Sequence, residues 1–277
     1  MPGLRAAVAT LIILCFIAAA GVSRAQEPAS TQPSEATWSS IKDDIFKGRP
    51  IVDGTGLVAL DAPRRAEDAA LVPISVSLTL PAGDTRRLKS LTLVIDENPA
   101  PVAGTFLIGA QAGVTAVSTR VRVNSYSYVH AVAELSDGQL YAVKAFVKAS
   151  GGCSAPMVKN MDQAEAMIGQ MKFRLFEPSN TNPDGGLREA QVMVRHPQNS
   201  GLQMDQVSRL YIPAFFIHDL KIYQGDALVL ALEGGISISE DPNVRFNYAP
   251  SGAATFRVEA TDTQDHVYKG EWPARNS

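Results

Sequence analysis

One cysteine stands in a run of small residues, Lys148-Ala-Ser-Gly-Gly-Cys-Ser-Ala-Pro156. The chain holds two cysteines, and the other, Cys15, lies in an N-terminal apolar run that is expected to be removed on export. A lone cysteine in an oxidising compartment points to an intermolecular partner or a reactive thiol. The competing reading is a buried free cysteine acting as a small hydrophobe. Gly151 and Gly152 bring no side chains to pack against it, and Pro156 cannot donate to a sheet ladder. An unperturbed thiol has a pKa of about 8.5, so only a few per cent is thiolate near neutral pH. Acyl transfer would need an adjacent base. A carrier needs only an accessible sulfur on a flexible tether, which Gly151 and Gly152 could supply. The spacing therefore predicts Cys153 as a covalent attachment point, with no catalytic residues beside it.

Little else in the chain offers chemistry. His130, His196, His218 and His266 are scattered, without the close pairs that ligate metals. Met157, Met161 and Met167 fall in one segment, but methionine at helical spacing is more often packing, so no metal site is assigned. Nucleophile elbows, phosphate loops and dinucleotide fingerprints are absent, and no cofactor is implied. Asp43-Asp44 reads as a solvated helix face. The net charge is −3 over 277 residues, and no basic cluster suggests nucleic acid. Hydrophobic residues make up 45% of the chain, enough to build a sizeable core.

The elements that must position the cysteine follow from patterning. Residues 1–25 read as a signal peptide: Arg5, an apolar run, then Ser23-Arg24-Ala25. The expected product is periplasmic, with no membrane association after cleavage. Residues 26–37 form a flexible leader. Thr37 is placed as the cap of a short helix bearing Trp38, Ile41, Ile45 and Phe46 on one face, stopped by Gly48 and Pro50. Ile74-Ser-Val-Ser-Leu-Thr-Leu80 alternates as a half-buried strand. Further strands are expected at 88–95, 104–108, 114–123, 128–135 and 140–147, the last two joined by an Asp137-Gly138 hairpin. After an interruption at 150–170, others are expected at 171–176, 187–195, 212–223, 228–232, 244–248, 254–261 and 267–272. Short strands at this spacing predict an all-β protein of two antiparallel sandwiches, over residues 38–150 and 171–277, joined by a Gly-Gly-Cys linker at 151–170.

The chain resembles the SoxYZ sulfur-carrier proteins, in a form that fuses both subunits. Its first half is similar to SoxY in Ala66–Val76, Asp96-Glu-Asn-Pro-Ala-Pro101, Ser118-Thr-Arg-Val-Arg122, Ala131–Gly138 and Gly151-Gly-Cys153. Its second half is similar to SoxZ in Met171-Lys-Phe-Arg174, Val194-Arg-His-Pro197, Phe215-Phe-Ile-His218 and the final Thr261–Tyr268 hairpin. The resemblance implies two immunoglobulin-like domains packed as an intramolecular pair, with sulfur intermediates carried on Cys153. It also implies partners among periplasmic sulfur-oxidising or quinoprotein (PQQ) dehydrogenase enzymes and cytochrome c. One feature departs from the family: Ser154-Ala155-Pro156 stand where glycines usually trail, and the chain runs on into a second domain. The alternatives are a non-covalent binding or maturation module for a dehydrogenase or its cytochrome c, and a thiol enzyme. A tethered thiol predicts that Cys153→Ser leaves the melting temperature nearly unchanged, and that Gly152→Val impairs function while sparing the fold.

Overall fold

Strand alternation is the rule from which the architecture grows. A computed structural model describes residues 34–156, 166–177 and 186–274. The expected signal peptide, most of the leader, and Met157 and Met161 of the expected linker lie outside the described residues. Among the described residues the first half forms α1 (Ala36–Phe46), β1 (Ile51–Asp53), β2 (Val58–Asp61), β3 (Val72–Leu78), β4 (Leu88–Ile95), β5 (Val102–Ile108), β6 (Ala116–Val121), β7 (Ser127–Leu135) and β8 (Leu140–Val147). The second forms β9 (Met171–Leu175), β10 (Arg188–Val194), β11 (Ile217–Gln224), β12 (Ala227–Gly234), β13 (Asn243–Tyr248), β14 (Thr255–Asp262) and β15 (Val267–Pro273). Among the described residues the fold is mostly β, with one short helix and two sheets.

Burial along β3 alternates as its sequence predicts, with Val72, Ile74, Val76 and Leu78 inward. β4 is buried on both faces, because one face meets the core and the other is covered by α1. Trp38, Ile41, Ile45 and Phe46 pack there against Val94, Val132 and Leu140, as the helical spacing requires. Thr37 does not cap the helix. Glu35 is the N-cap without a side-chain bond, the Ser34 hydroxyl accepts the Ala36 N–H at 3.1 Å, and Thr37 donates to Glu97. The helix stops on left-handed Lys47 and Gly48, a common termination. The Asp137-Gly138 turn joins β7 to β8, with Gly138 at φ 85. β1 and β2 were not foreseen, since segments so short show no periodicity. β11 begins later than expected, at Ile217, after Pro213, which has no N–H to give a ladder.

The two halves meet through both sheets. One sheet runs β1-β8-β7-β4-β5-β12-β11-β14-β15 and the other β2-β3-β6-β13-β10-β9. Each crosses from the first half to the second, through β5–β12 (Leu230↔Ile108 to Gly234↔Gly104) and β6–β13 (Arg245↔Ser118, Phe246↔Val117). The two immunoglobulin-like halves thus build one two-layered sandwich around a shared core that includes Leu93 and Phe106 from one half and Leu220 and Phe256 from the other. Gly109 permits the close approach at this seam: a Cβ there would stand 1.7 Å from the Leu228 carbonyl oxygen. Its own N–H donates to Val229 O at 3.0 Å. Gly109→Ala should therefore cost on the order of 2–4 kcal/mol, read as a lower urea midpoint with an unchanged slope.

Candidate functional site

The cysteine segment leaves β8 and folds back into the seam. Lys148 N–H donates to Arg64 O, and Ala66 N–H donates to Lys148 O, which ties the end of β8 to the chain before β3. Gly151, at φ 78, turns the chain. Its N–H donates to Asn124 O at 2.8 Å, and Gly152 N–H donates to Val123 O at 3.1 Å. An Arg122 Nη1 donates to Gly152 O at 3.1 Å. From the second half, the Ser200 hydroxyl donates to Cys153 O at 2.5 Å. Backbone and side-chain bonds from both halves therefore grip three consecutive residues.

This differs from a freely moving tether. Gly152 is buried, and a Cβ there would lie 2.1 Å from Ala69 O and 2.6 Å from Val123 O. In this seated conformation glycine is needed for close packing. Cys153 has 0% relative exposure. Burial pushes its thiol up to about 11, against the opposing pull of Arg122. In this conformation the sulfur is protonated and shielded, where the sequence predicted a solvent-reachable one.

The residues around it are polar and were not singled out from sequence. Arg122 is 2% exposed, and among the described residues no carboxylate lies within salt-bridge distance of it. Desolvation lowers its pKa, opposed by the more distant carboxylates of Glu240 and Asp68. Its second Nη donates to Gln198 O at 3.2 Å, while Nε has no partner. Gln198 Nε2 and Gln203 Nε2 are also buried without partners. Unpaired buried donors are costly, and three of them belong to residues one or two bonds from the cysteine backbone. Arg122 and Ser118 stood inside a quoted sequence motif, but nothing in the spacing marked the guanidinium as buried.

The histidines, scattered in sequence, partly converge. Asp262 is fully buried and accepts the Tyr268 hydroxyl at 2.7 Å and His266 Nδ1 at 3.0 Å. His196 Nε2 stands 3.6 Å from the same oxygen. His130, elsewhere, contacts Asp96 at 3.2 Å beneath Trp38, whose ring stacks on it at 3.9 Å. His218 is exposed. Among the described residues no group of three or more His, Cys, Asp or Glu side chains is arranged to hold a metal ion, and no helix is long and apolar enough to cross a membrane.

Comparison with known proteins finds a separate family match in each half of the chain. Residues 42–153 match the family model of sulfur oxidation protein SoxY, and residues 176–273 match that of sulphur oxidation protein SoxZ. The first match ends on Cys153 itself. Among solved structures, the chain is similar to the sulfur carrier protein SoxY of Chlorobium limicola f thiosulfatophilum, at 24% identity over 42% of this chain and 96% of that one, with a TM-score of 0.35. A superoxide reductase (neelaredoxin) variant from Ignicoccus hospitalis matches at 14% identity over 39% and 87% of the two chains, with a TM-score of 0.29. No protein with a curated description matches the chain.

Burial reverses two expectations about variants. Cys153→Ser places a hydroxyl in a closed site and should cost about 1–3 kcal/mol, visible as a lowered melting temperature. Gly152→Val should destabilise the fold by a larger amount, measured in the same thermal scan, because backbone oxygens occupy the space its side chain needs.

Proposed function

Since the chain carries a SoxY domain joined to a SoxZ domain, we propose that it is a periplasmic carrier that holds sulfur-compound intermediates covalently on Cys153. The observation that carries this reading is the coincidence of the single mature cysteine with the end of the SoxY match, at the seam with the SoxZ half. The carrier role in sulfur oxidation follows from the two domains. The periplasmic location rests on the N-terminal signal pattern. The link to a quinoprotein (PQQ) dehydrogenase system, with cytochrome c as a further partner, rests on the fused arrangement of the sequence.

The chain's own residues set the terms of loading. Cargo reaches Cys153 only after Gly152 and Cys153 give up the bonds to Val123, Arg122 and Ser200. Arg64, Arg65 and Lys148 line a cleft of about 590 Å³ where β8 runs into this segment. That basic approach suits anionic sulfur compounds or an acidic enzyme rim. Gly151 and Gly152 then act as the pivot of an arm that opens, rather than as a permanently mobile tether.

A second reading is favoured by one observation, the complete burial of Cys153. A structural cysteine would suit a non-covalent binding or maturation module for a dehydrogenase or its cytochrome c. Intact-protein mass spectrometry on material isolated without reductant separates the two. The carrier should show adducts in sulfur or oxidised-sulfur mass steps that reductant removes and that Cys153→Ser lacks. A bare thiol in cells actively oxidising sulfur compounds or alcohols would overturn the carrier reading.

A further inference from the structure

Gln198 is an unusual residue on which to hang a latch. It is fully buried and left-handed, with φ 50. A residue with a Cβ pays roughly 1–2 kcal/mol to sit there and persists only where its surroundings over-determine it. Three bonds hold it. Its N–H donates to His196 Nδ1 at 3.2 Å. Its side-chain oxygen accepts the Ile217 N–H at 2.7 Å. Its carbonyl accepts from Arg122, whose other terminal nitrogen holds Gly152.

The first of these bonds fixes the imidazole. Nδ1 must offer a lone pair, so a neutral His196 carries its proton on Nε2, the nitrogen facing Asp262. A second proton can enter only at Nδ1, where it meets the Gln198 N–H head-on. We propose that His196 is a positioning residue whose protonation frees Gln198 and, through Arg122, unlatches the Gly152–Cys153 segment. This deepens the carrier reading by naming what governs access to its thiol.

The surrounding charges leave that outcome in place. Asp262 at the end of β14 and Tyr268 of β15 face the ring, and His266 of the turn between them is bonded to Asp262. Burial pushes the Asp262 carboxyl up, but the Tyr268 hydroxyl, the Gln264 and His266 N–H groups and the His266 ring hold it low on balance. It is already supplied with donors and does not need a second proton on His196. From the loop before β13, Asp241 accepts the His196 backbone N–H at 3.1 Å and is itself paired with Arg195. Phe215 covers the ring with an apolar face.

The sign follows from linkage. Burial, the largest cause, lowers the His196 pKa from its ordinary value, while the charges of Asp262 and Asp241 pull the other way; the Gln198 N–H on Nδ1 favours the neutral ring. The opened state, with a solvated imidazole, binds the proton first. The latched state is complete above about pH 6.5 and weakens as the pH falls.

The test is the rate at which a pyridyl disulfide, which reacts in acid, labels Cys153 in the full chain, normalised to free cysteine at each pH. Between about pH 7.5 and pH 5 the normalised rate should rise by up to about tenfold per pH unit below the histidine's ordinary pKa. His196→Asn keeps an acceptor for Gln198 without titrating, and should label slowly at every pH. His196→Phe removes the acceptor and should label fast at every pH. If His196→Asn does not fold, the wild-type protein still decides by NMR: the Gln198 amide resonance must move with the His196 ring titration. A flat wild-type profile, a pH dependence retained in His196→Asn, or a stationary Gln198 amide overturns the proposal. Adducts on Cys153 with a flat profile would spare the carrier reading and remove the latch. An acid-opened thiol that never carries adducts would do the reverse.

Discussion

A buried guanidinium is the constraint around which the two halves close. Arg122 N–H donates to Ser237 O in the second half, and its carbonyl accepts from Asn98. Its side chain then reaches Gly152 on one side and Gln198 on the other. Burying an unpaired cation costs several kcal/mol even after relaxation. Here the compensation comes from carbonyl oxygens and from the more distant Glu240 and Asp68, not from a contacting carboxylate. Such an arrangement offsets the desolvation only while the seam keeps those carbonyls aimed at the guanidinium. The same requirement seats the cysteine, because Gly152 supplies one of the two carbonyls.

The continuous sheets explain why that seam can be so well ordered. β5–β12 and β6–β13 give it main-chain ladders in both layers, and the apolar core runs across without interruption. Joining the halves in one chain makes their pairing intramolecular, which raises the effective concentration of one for the other into the millimolar range or above for a short connection. A fused carrier thus keeps its interface closed at any dilution, and the cysteine segment meets partners from both halves whenever it returns.

Much of the scaffold was legible. Strict alternation at Ile74–Leu78, the turn at Asp137-Gly138, and the helical spacing of Trp38, Ile41 and Ile45 each state a local rule that the fold obeys. Cys153 was legible as the residue to watch, through its small neighbours and its lack of a mate. Its environment was not. Whether Gly152 bends freely or fits under Ala69 O is decided by a strand-to-strand distance, and glycine serves both. Arg122 looks like any charge at the end of a half-exposed strand until the second half covers it. His196, His266 and Asp262 meet only because a loop after β10 folds over the β14–β15 hairpin, a register no spacing rule encodes.

The buried thiol changes what a carrier of this kind must do. With its pKa near 11, the seated cysteine is thiolate in only about one molecule in ten thousand at neutral pH. Loading in place would be slow for lack of both nucleophile and access. Opening relieves both at once, since hydration restores an ordinary thiol pKa while exposing the sulfur. The closed state keeps an empty thiol protonated and out of reach of oxidants, and on the proposed reading its reactivity rises when the segment leaves its seat. An internal cysteine, unlike one on a free chain end, can be returned to its seat by bonds on both sides, Val123 and Arg122 from one half and Ser200 from the other. What is lost in reach is recovered as control over when the sulfur is available.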